Sequence, residues 1–254
     1  KEDGKCIYTG FSLGANDYMT NYESTYEVFG DMLFQKTGDR YFATRCTYIP
    51  NGNSMGDILS TTSTILVNGE YVTSSYSFLR VKNNLNLAGK KYAYSSAYVT
   101  NANGKDENFS ILGQNFNITN IDGGDFDMIF GADLYSLVLN ANSITHKFRP
   151  NGQDVEVVTP ITVEGNKVTL DYSAVNPACR KVEMYMFQDA DDTQLHMYMP
   201  TSSFINYFAN MDLAALTVTG DIDLTDAAAV EAIFERMDER VESINVSFTF
   251  KATK

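Results

Sequence analysis

Apolar and polar residues alternate with a period of two along most of this chain, the signature of half-buried antiparallel strands. The clearest local signal is Ile65-Leu66-Val67, then Asn68-Gly69, then Glu70-Tyr71-Val72. Asn-Gly tolerates positive φ at both turn positions, which a type I′ hairpin requires. Val168, Leu170 and Tyr172 alternate with Lys167, Thr169 and Asp171, and Glu164-Gly165-Asn166 supplies the turn from a strand at Ile161–Val163. In the next hairpin Val182, Met184 and Met186 face one way, and Glu183, Tyr185 and Phe187 the other. After a turn at 189–193 the chain returns with Leu195, Met197 and Met199 on one face and His196 and Tyr198 on the other. This hairpin holds four of the ten methionines, so either both faces are covered or one lines a pocket.

Thr201-Ser202-Ser203 caps a short predicted helix through Phe204, Tyr207, Phe208 and Met211, and a strand is predicted around Leu216-Thr217-Val218. One long amphipathic helix follows, with Thr225 as its N-cap and Val230, Ile233, Phe234, Met237 and Val241 forming one apolar stripe. The last segment, Ile244 to Ala252, places Ile244, Val246, Phe248 and Phe250 on one face and predicts a final strand tied into a sheet. Earlier strands are predicted at 25–35, 40–49, 75–81, 91–100, 109–112, 116–121 and 125–130, with turns at 36–39, 51–53 and 101–104. The fold class is therefore mainly β: an antiparallel barrel or two β units, plus a C-terminal amphipathic helix and a final strand. With no Pro-rich linker, the boundary is placed at Gly131-Ala132-Asp133, giving units 1–131 and 132–254, with a single large β domain as the alternative.

Composition narrows the function. Sixteen Tyr and sixteen Phe, without Trp, fit a strand-rich globular protein. A net charge of −13 and the lack of a basic stripe count against nucleic acid and anionic membrane surfaces as partners. No apolar run reaches transmembrane length. Cys6, Cys46 and Cys179 form no CxxC; they allow one disulfide, with Cys46–Cys179 as the candidate pair. The polar start Lys1–Lys5 carries no initiator Met, which predicts an exported chain whose targeting segment or N-terminal lipid anchor has been removed.

The candidate chemistry is sparse. Gly10-Phe11-Ser12-Leu13-Gly14 fits G-x-S-x-G, but a nucleophile elbow needs a strand, a strained turn and a helix in a parallel sheet, with His146 or His196 as base. Only nine residues precede it and no alternating α/β pattern follows, so a glycine-containing turn or bulge near the first strand is the expectation. The two histidines, fifty residues apart, do not read as a metal pair. Axial ligation of haem by a histidine and a methionine is the alternative, but His196 alternates away from Met197 and Met199. The acidic stretches 122–127 and 189–192 contain oxygens a calcium ion would want, yet neither follows the EF-hand pattern and both read as turns. Tyr92, Tyr94 and Tyr98 read as one strand face, a row that stacks on sugar rings if exposed and packs if covered.

The run Ile144-Thr145-His146-Lys147-Phe148-Arg149-Pro150-Asn151-Gly152, the step Val163-Glu164-Gly165-Asn166-Lys167-Val168-Thr169-Leu170 and the hairpin Val182–Pro200 together resemble the lipocalin-like and calycin-like β-barrel modules of lipoproteins exported by gut bacteria. The resemblance covers residues 132–200 and departs from the family in lacking the opening Gly-x-Trp. It implies a barrel and a periplasmic or cell-surface location, and it carries no catalytic residue or cofactor across. The function expected is non-enzymatic binding of a small apolar or glycan ligand in a barrel mouth, by Met184, Met186, Met197 and Met199 with Tyr185 and Tyr198. A cell-surface structural or protein-interaction module is the alternative, and a serine hydrolase using Ser12 the remote one.

Overall fold

The computed structural model describes residues 5–12, 17–37, 40–49, 58–79, 81, 84–131, 134–149, 152–174, 176–189 and 191–253. The chain divides into two compact units, Lys1–Val81 and Lys82–Lys254. The first is a six-stranded antiparallel meander: β1 (Lys5–Ser12), β2 (Asp17–Phe29), β3 (Met32–Thr37), β4 (Arg40–Ile49), β5 (Ile58–Val67) and β6 (Glu70–Leu79). The turn Asn68-Gly69 has φ of 51° and 86°, as its type I′ chemistry demands, and joins β5 to β6 with Val67 opposite Glu70. Threonine and serine hydroxyls meet across these strands, Thr62 with Ser75 at 3.3 Å and Thr64 with Thr73 at 2.9 Å. The strand expected over 25–35 is two strands, because Gly30 (φ 63°) lets the chain reverse at Gly30-Asp31.

The second unit is a closed eight-stranded antiparallel barrel, consistent with a lipocalin-like fold. Its strands are β7 (Lys90–Gly104), β10 (Tyr135–Leu139), β11 (Ser143–Phe148), β12 (Val155–Glu164), β13 (Lys167–Leu170), β14 (Val182–Gln188), β15 (Gln194–Met199) and β16 (Val241–Ala252). Between β7 and β10 lie the hairpin β8 (Asn108–Ile111) and β9 (Gln114–Asn117) and a short helix, α1 (Asp127–Phe130). Between β15 and β16 lie α2 (Thr201–Thr219) and α3 (Ala227–Arg240). Neighbours in sequence are neighbours in the sheet, and β16 closes on β7, which removes the open edges a flat sheet would expose. The barrel thus takes in β7, N-terminal to the expected boundary at residue 131.

Inward positions follow the alternation. Val182, Met184, Met186, Leu195, Met197 and Met199 are all at most 1% exposed, as are Leu137, Ile144, Val168, Leu170, Phe248 and Phe250. Several elements differ from the sequence expectation. Residues 125–130 are helical rather than extended, because Phe126, Ile129 and Phe130 share a helical face and the Asp122 carboxylate accepts the Gly124 and Asp125 N–H groups. The turn expected at 101–104 lies inside β7, where register shifts against β16 absorb the extra residues and Asn101 takes φ 55°. Leu216-Thr217-Val218 is the last turn of α2, which ends at Gly220 with φ 76°. The N-cap of α3 is Asp226, one residue past Thr225, accepting from the N–H of Ala228 and Ala229.

Helix α2 packs into the core. A mostly apolar helix is buried on most of its surface, and α2 buries twelve residues, including Phe204, Tyr207, Phe208, Met211 and Leu213. Phe208 lies 5.9 Å from Phe126, 5.9 Å from Phe130 and 6.3 Å from Phe248 between ring centroids. At the opposite end, Gln188 is fully buried and donates to Tyr92 OH (2.7 Å) and the Asn86 carbonyl (3.2 Å), while the Asn86 side chain donates to Asp192 (2.9 Å). Leu85 and Leu87 of the same tied segment pack on the core. The helical turn before α1 sits close on β7: a Cβ added at Gly123 would lie 2.1 Å from the Ala97 carbonyl oxygen. Gly123→Ala must displace backbone, so a loss of about 1–3 kcal/mol is expected, read as a fall in Tm of roughly 2–12 °C.

Candidate functional site

The six residues expected to bind ligand fall on two faces. Met184, Met186, Met197 and Met199 point inward and are buried, each fitted into the barrel packing. Tyr185 and Tyr198 point outward and stand opposite one another in register. The structure brings the methionines together in the core and the tyrosines together on the outer surface.

Those tyrosines belong to a longer row that the sequence did not reveal. Lys167, Tyr185, Tyr198, Ser247 and Tyr98 are successive register partners across β13, β14, β15, β16 and β7. The adjacent row is Phe187, His196, Thr249 and Ser96. Tyr98 is 70% exposed and Tyr198 37%; Tyr185 and Phe187 are half-buried. Phe187 and Tyr198 meet edge to face at 5.7 Å. Strands repeat at roughly 4.8 Å, so Tyr98 stands about 10 Å from Tyr198, with the Ser247 position between them.

Tyr98 reaches this face through a bulge. The pairing steps from Ser96↔Thr249 to Tyr94↔Phe250, leaving Ser95 as an extra residue on β7. One inserted residue inverts the alternation. Tyr92 is buried and Tyr94 packs on Phe130, Phe248 and Phe250, donating to Asp127 (2.8 Å), whereas Tyr98 turns outward. The expectation that Tyr92, Tyr94 and Tyr98 share a face is corrected accordingly.

His196 lies on the outer rows, away from the methionines as its alternation requires; its Nδ1 sits 3.2 Å from the Thr249 hydroxyl and burial lowers its pKa. His146 is fully buried in the barrel, with Nδ1 2.8 Å from Tyr135 OH and 3.4 Å from Tyr207 OH; the two tyrosine hydroxyls also bond each other. Burial pushes its pKa down to about 3 and raises those of Tyr135, Tyr172 and Tyr207. This is a neutral polar cluster that ties α2 to β10 and β11. Among the described residues no three His, Cys, Asp or Glu side chains gather as a metal site. The acidic stretches serve their own turns: Asp125 accepts the Asp122 N–H, and Asp189 accepts from the N–H of Thr193 and Gln194.

Ser12 ends β1 opposite Asp17 of β2, paired antiparallel rather than in the strand–turn–helix of a nucleophile elbow, and the register shifts between Tyr8 and Gly10, the bulge of the two expected alternatives, turn or bulge. Leu13 and Gly14 lie outside the described residues. The candidate disulfide is not formed: Cys46 and Cys179 are free thiols, and burial raises Cys179 to about 11. A surface groove of 360 Å³ beside β10–β12 carries Lys147 and Arg149, but Glu156 (2.7 Å) and Asp154 (2.5 Å) pair them. No described helix is long and apolar enough to cross a membrane. Compared with known proteins, the chain matches no family model, no curated protein and no solved structure.

Proposed function

We propose that this chain is a non-enzymatic binding protein that takes a glycan on the outer face of its barrel, along Tyr185, Tyr198 and Tyr98. The observation that carries this reading is the composition of the two rows: the exposed rings of Tyr98 and Tyr198 and the half-buried ring of Tyr185 lie beside Ser247, Thr249 and Ser96. A sugar ring has an apolar face and a rim of hydroxyls, so it needs ring surface and hydrogen-bonding groups side by side. A purely apolar ligand would strip water from the Ser247 and Ser96 hydroxyls, at a cost. The burial of the inward side chains, the four methionines among them, also favours ligand binding on the outside. An exported, lipid-anchored location belongs to the same proposal, supported by the likeness of residues 132–200 to exported barrel modules.

Affinity electrophoresis through gels containing different polysaccharides tests it. Retardation in at least one is expected, and Tyr98→Ala with Tyr198→Ala should weaken it about tenfold or more, since truncating an aromatic anchor costs about 2 kcal/mol. The melt should barely move, because both side chains are on the surface. Retardation that ignores both substitutions, or none in any polysaccharide, defeats the proposal.

A further inference from the structure

The two edges of the first unit's sheet are built differently. β1 is interrupted by a register shift between Tyr8 and Gly10 and begins with Lys5, two devices that discourage another strand from adding to an edge. β6 has neither. It pairs with β5 over ten successive residues without a shift, contains no Pro, Lys or Arg, and carries one charge, Glu70, at its very start. Among the described residues β5 is its one strand partner. Glu70 to Thr73 and Ser75 are exposed, with Tyr71 at 79% and Val72 at 44%. A long, regular, nearly uncharged edge presents a row of backbone donors and acceptors to any strand that can align with it.

We propose that β6 pairs antiparallel with β6 of a second copy, forming a two-fold symmetric dimer with a continuous twelve-stranded sheet. The contrast between the edges selects this occupant: a head-to-tail contact would need the guarded β1 edge, whereas an isologous contact uses β6 twice. Opposed residues in an antiparallel pair share a face, so the two-fold axis passes beside a single residue; placing it at Ser75 sets Ser75 of one copy opposite Ser75 of the other and pairs residues 71–79. Glu70 then falls just beyond the overlap, so the only charges on the strands do not meet each other. Nine facing residue pairs make a narrow interface, so the dimer should dissociate on dilution.

Sedimentation of the full chain over a concentration series is expected to show the mass doubling. Ser74→Lys with Ser75→Lys places like charges directly opposite at the centre of the pairing and should leave the chain monomeric with an intact circular dichroism spectrum. Hydrogen exchange on the unaltered chain gives a readout that does not depend on the variant folding: alternate amides of residues 70–79, those facing away from β5, should slow as concentration rises. A chain that stays monomeric throughout overturns the proposal. So does a dimer that survives both lysines, or one in which those amides exchange as fast as in the monomer. Protection of the same amides by a different protein, with the isolated chain monomeric, would reassign the edge to a foreign strand and likewise overturn it.

Discussion

Met184→Lys is expected to unfold the barrel unit rather than merely to spoil a ligand site. Met184 is 0% exposed and stands opposite Val168 in a core where Met186, Met197 and Leu195 are equally buried. An unpaired ammonium in such a place costs several kcal/mol, comparable to the ~5–15 kcal/mol that holds a typical domain together. Met184→Leu keeps the volume and should cost less than about 1.5 kcal/mol, and Met184→Ala about 2–5 kcal/mol through the cavity it leaves. Thermal melts of the three variants separate the cases. A folded Met184→Lys chain with an unchanged Tm would mean that the interior holds solvent or ligand space, and would return the binding site to the lumen.

Acid is expected to reveal two buried groups that pull in opposite directions. His146 has its pKa pushed from 6.5 down to about 3 by burial, whereas the unfolded chain takes up that proton near 6.5. Between those values the unfolded state binds more protons. The stability that neutral His146 contributes is therefore complete above pH 6.5 and is lost as pH falls toward 3, roughly 4–5 kcal/mol in all. Asp212 on α2 works the other way. Burial raises its carboxyl from 3.8 to about 6, although the Leu112 N–H (2.5 Å) and Arg236 (2.8 Å) both favour the charged form. The folded state then binds the proton first, so stability is gained as pH falls from about 6 to 3.8.

The two slopes, each about 1.4 kcal/mol per pH unit, largely cancel between pH 6 and 3.8, and the His146 loss stands alone below that. Asp212→Asn removes the compensation and should make stability fall steadily from near neutral pH downward. His146→Phe should do the reverse, leaving stability rising as pH drops through 6. Urea unfolding of the three proteins across this range measures the slopes. An Asp212→Asn chain with the same slope as the unaltered one would show that Asp212 titrates normally in the fold.

Much of the barrel is legible in the sequence because strand alternation is a local signal. Asn68-Gly69 declares its turn by the φ values only such residues adopt readily, and the inward set Val182, Met184, Met186, Leu195, Met197 and Met199 follows from parity alone. The stripe Val230, Ile233, Phe234 and Met237 gives α3 in the same way, and all four are buried. Helix α2 is harder to see. The β-branched Thr217 and Val218 favour a strand, but the buried run before them carries the helix through, and Thr217 Oγ1 donates to the Leu213 carbonyl one turn back.

The candidate site was half legible. Tyr185 and Tyr198 stand out by sequence, as outward residues of one hairpin. Their grouping with the methionines fails on parity itself, since alternating residues point to opposite faces. Tyr98 belongs to the row only because Ser95 is extra on β7, and a bulge leaves no mark in the alternation that a strand of Tyr, Ser and Ala could display.

By itself, then, the sequence determined the mainly β class, the hairpins from β5 to β6 and from β12 to β15, the faces of β13 to β16, the helix α3 and the final strand β16. These rest on interactions between residues near one another along the chain. Tertiary structure decided what joins distant segments: the closure of β16 on β7, the burial of α2 against β10, β11 and β16, the Asn86–Gln188 clasp at the other end, and the alignment of Tyr185, Tyr198 and Tyr98 across four strands. A periodic pattern states which face of a strand is buried, but not which strand lies beside it; that is set by ring closure and by packing among residues a hundred or more positions apart.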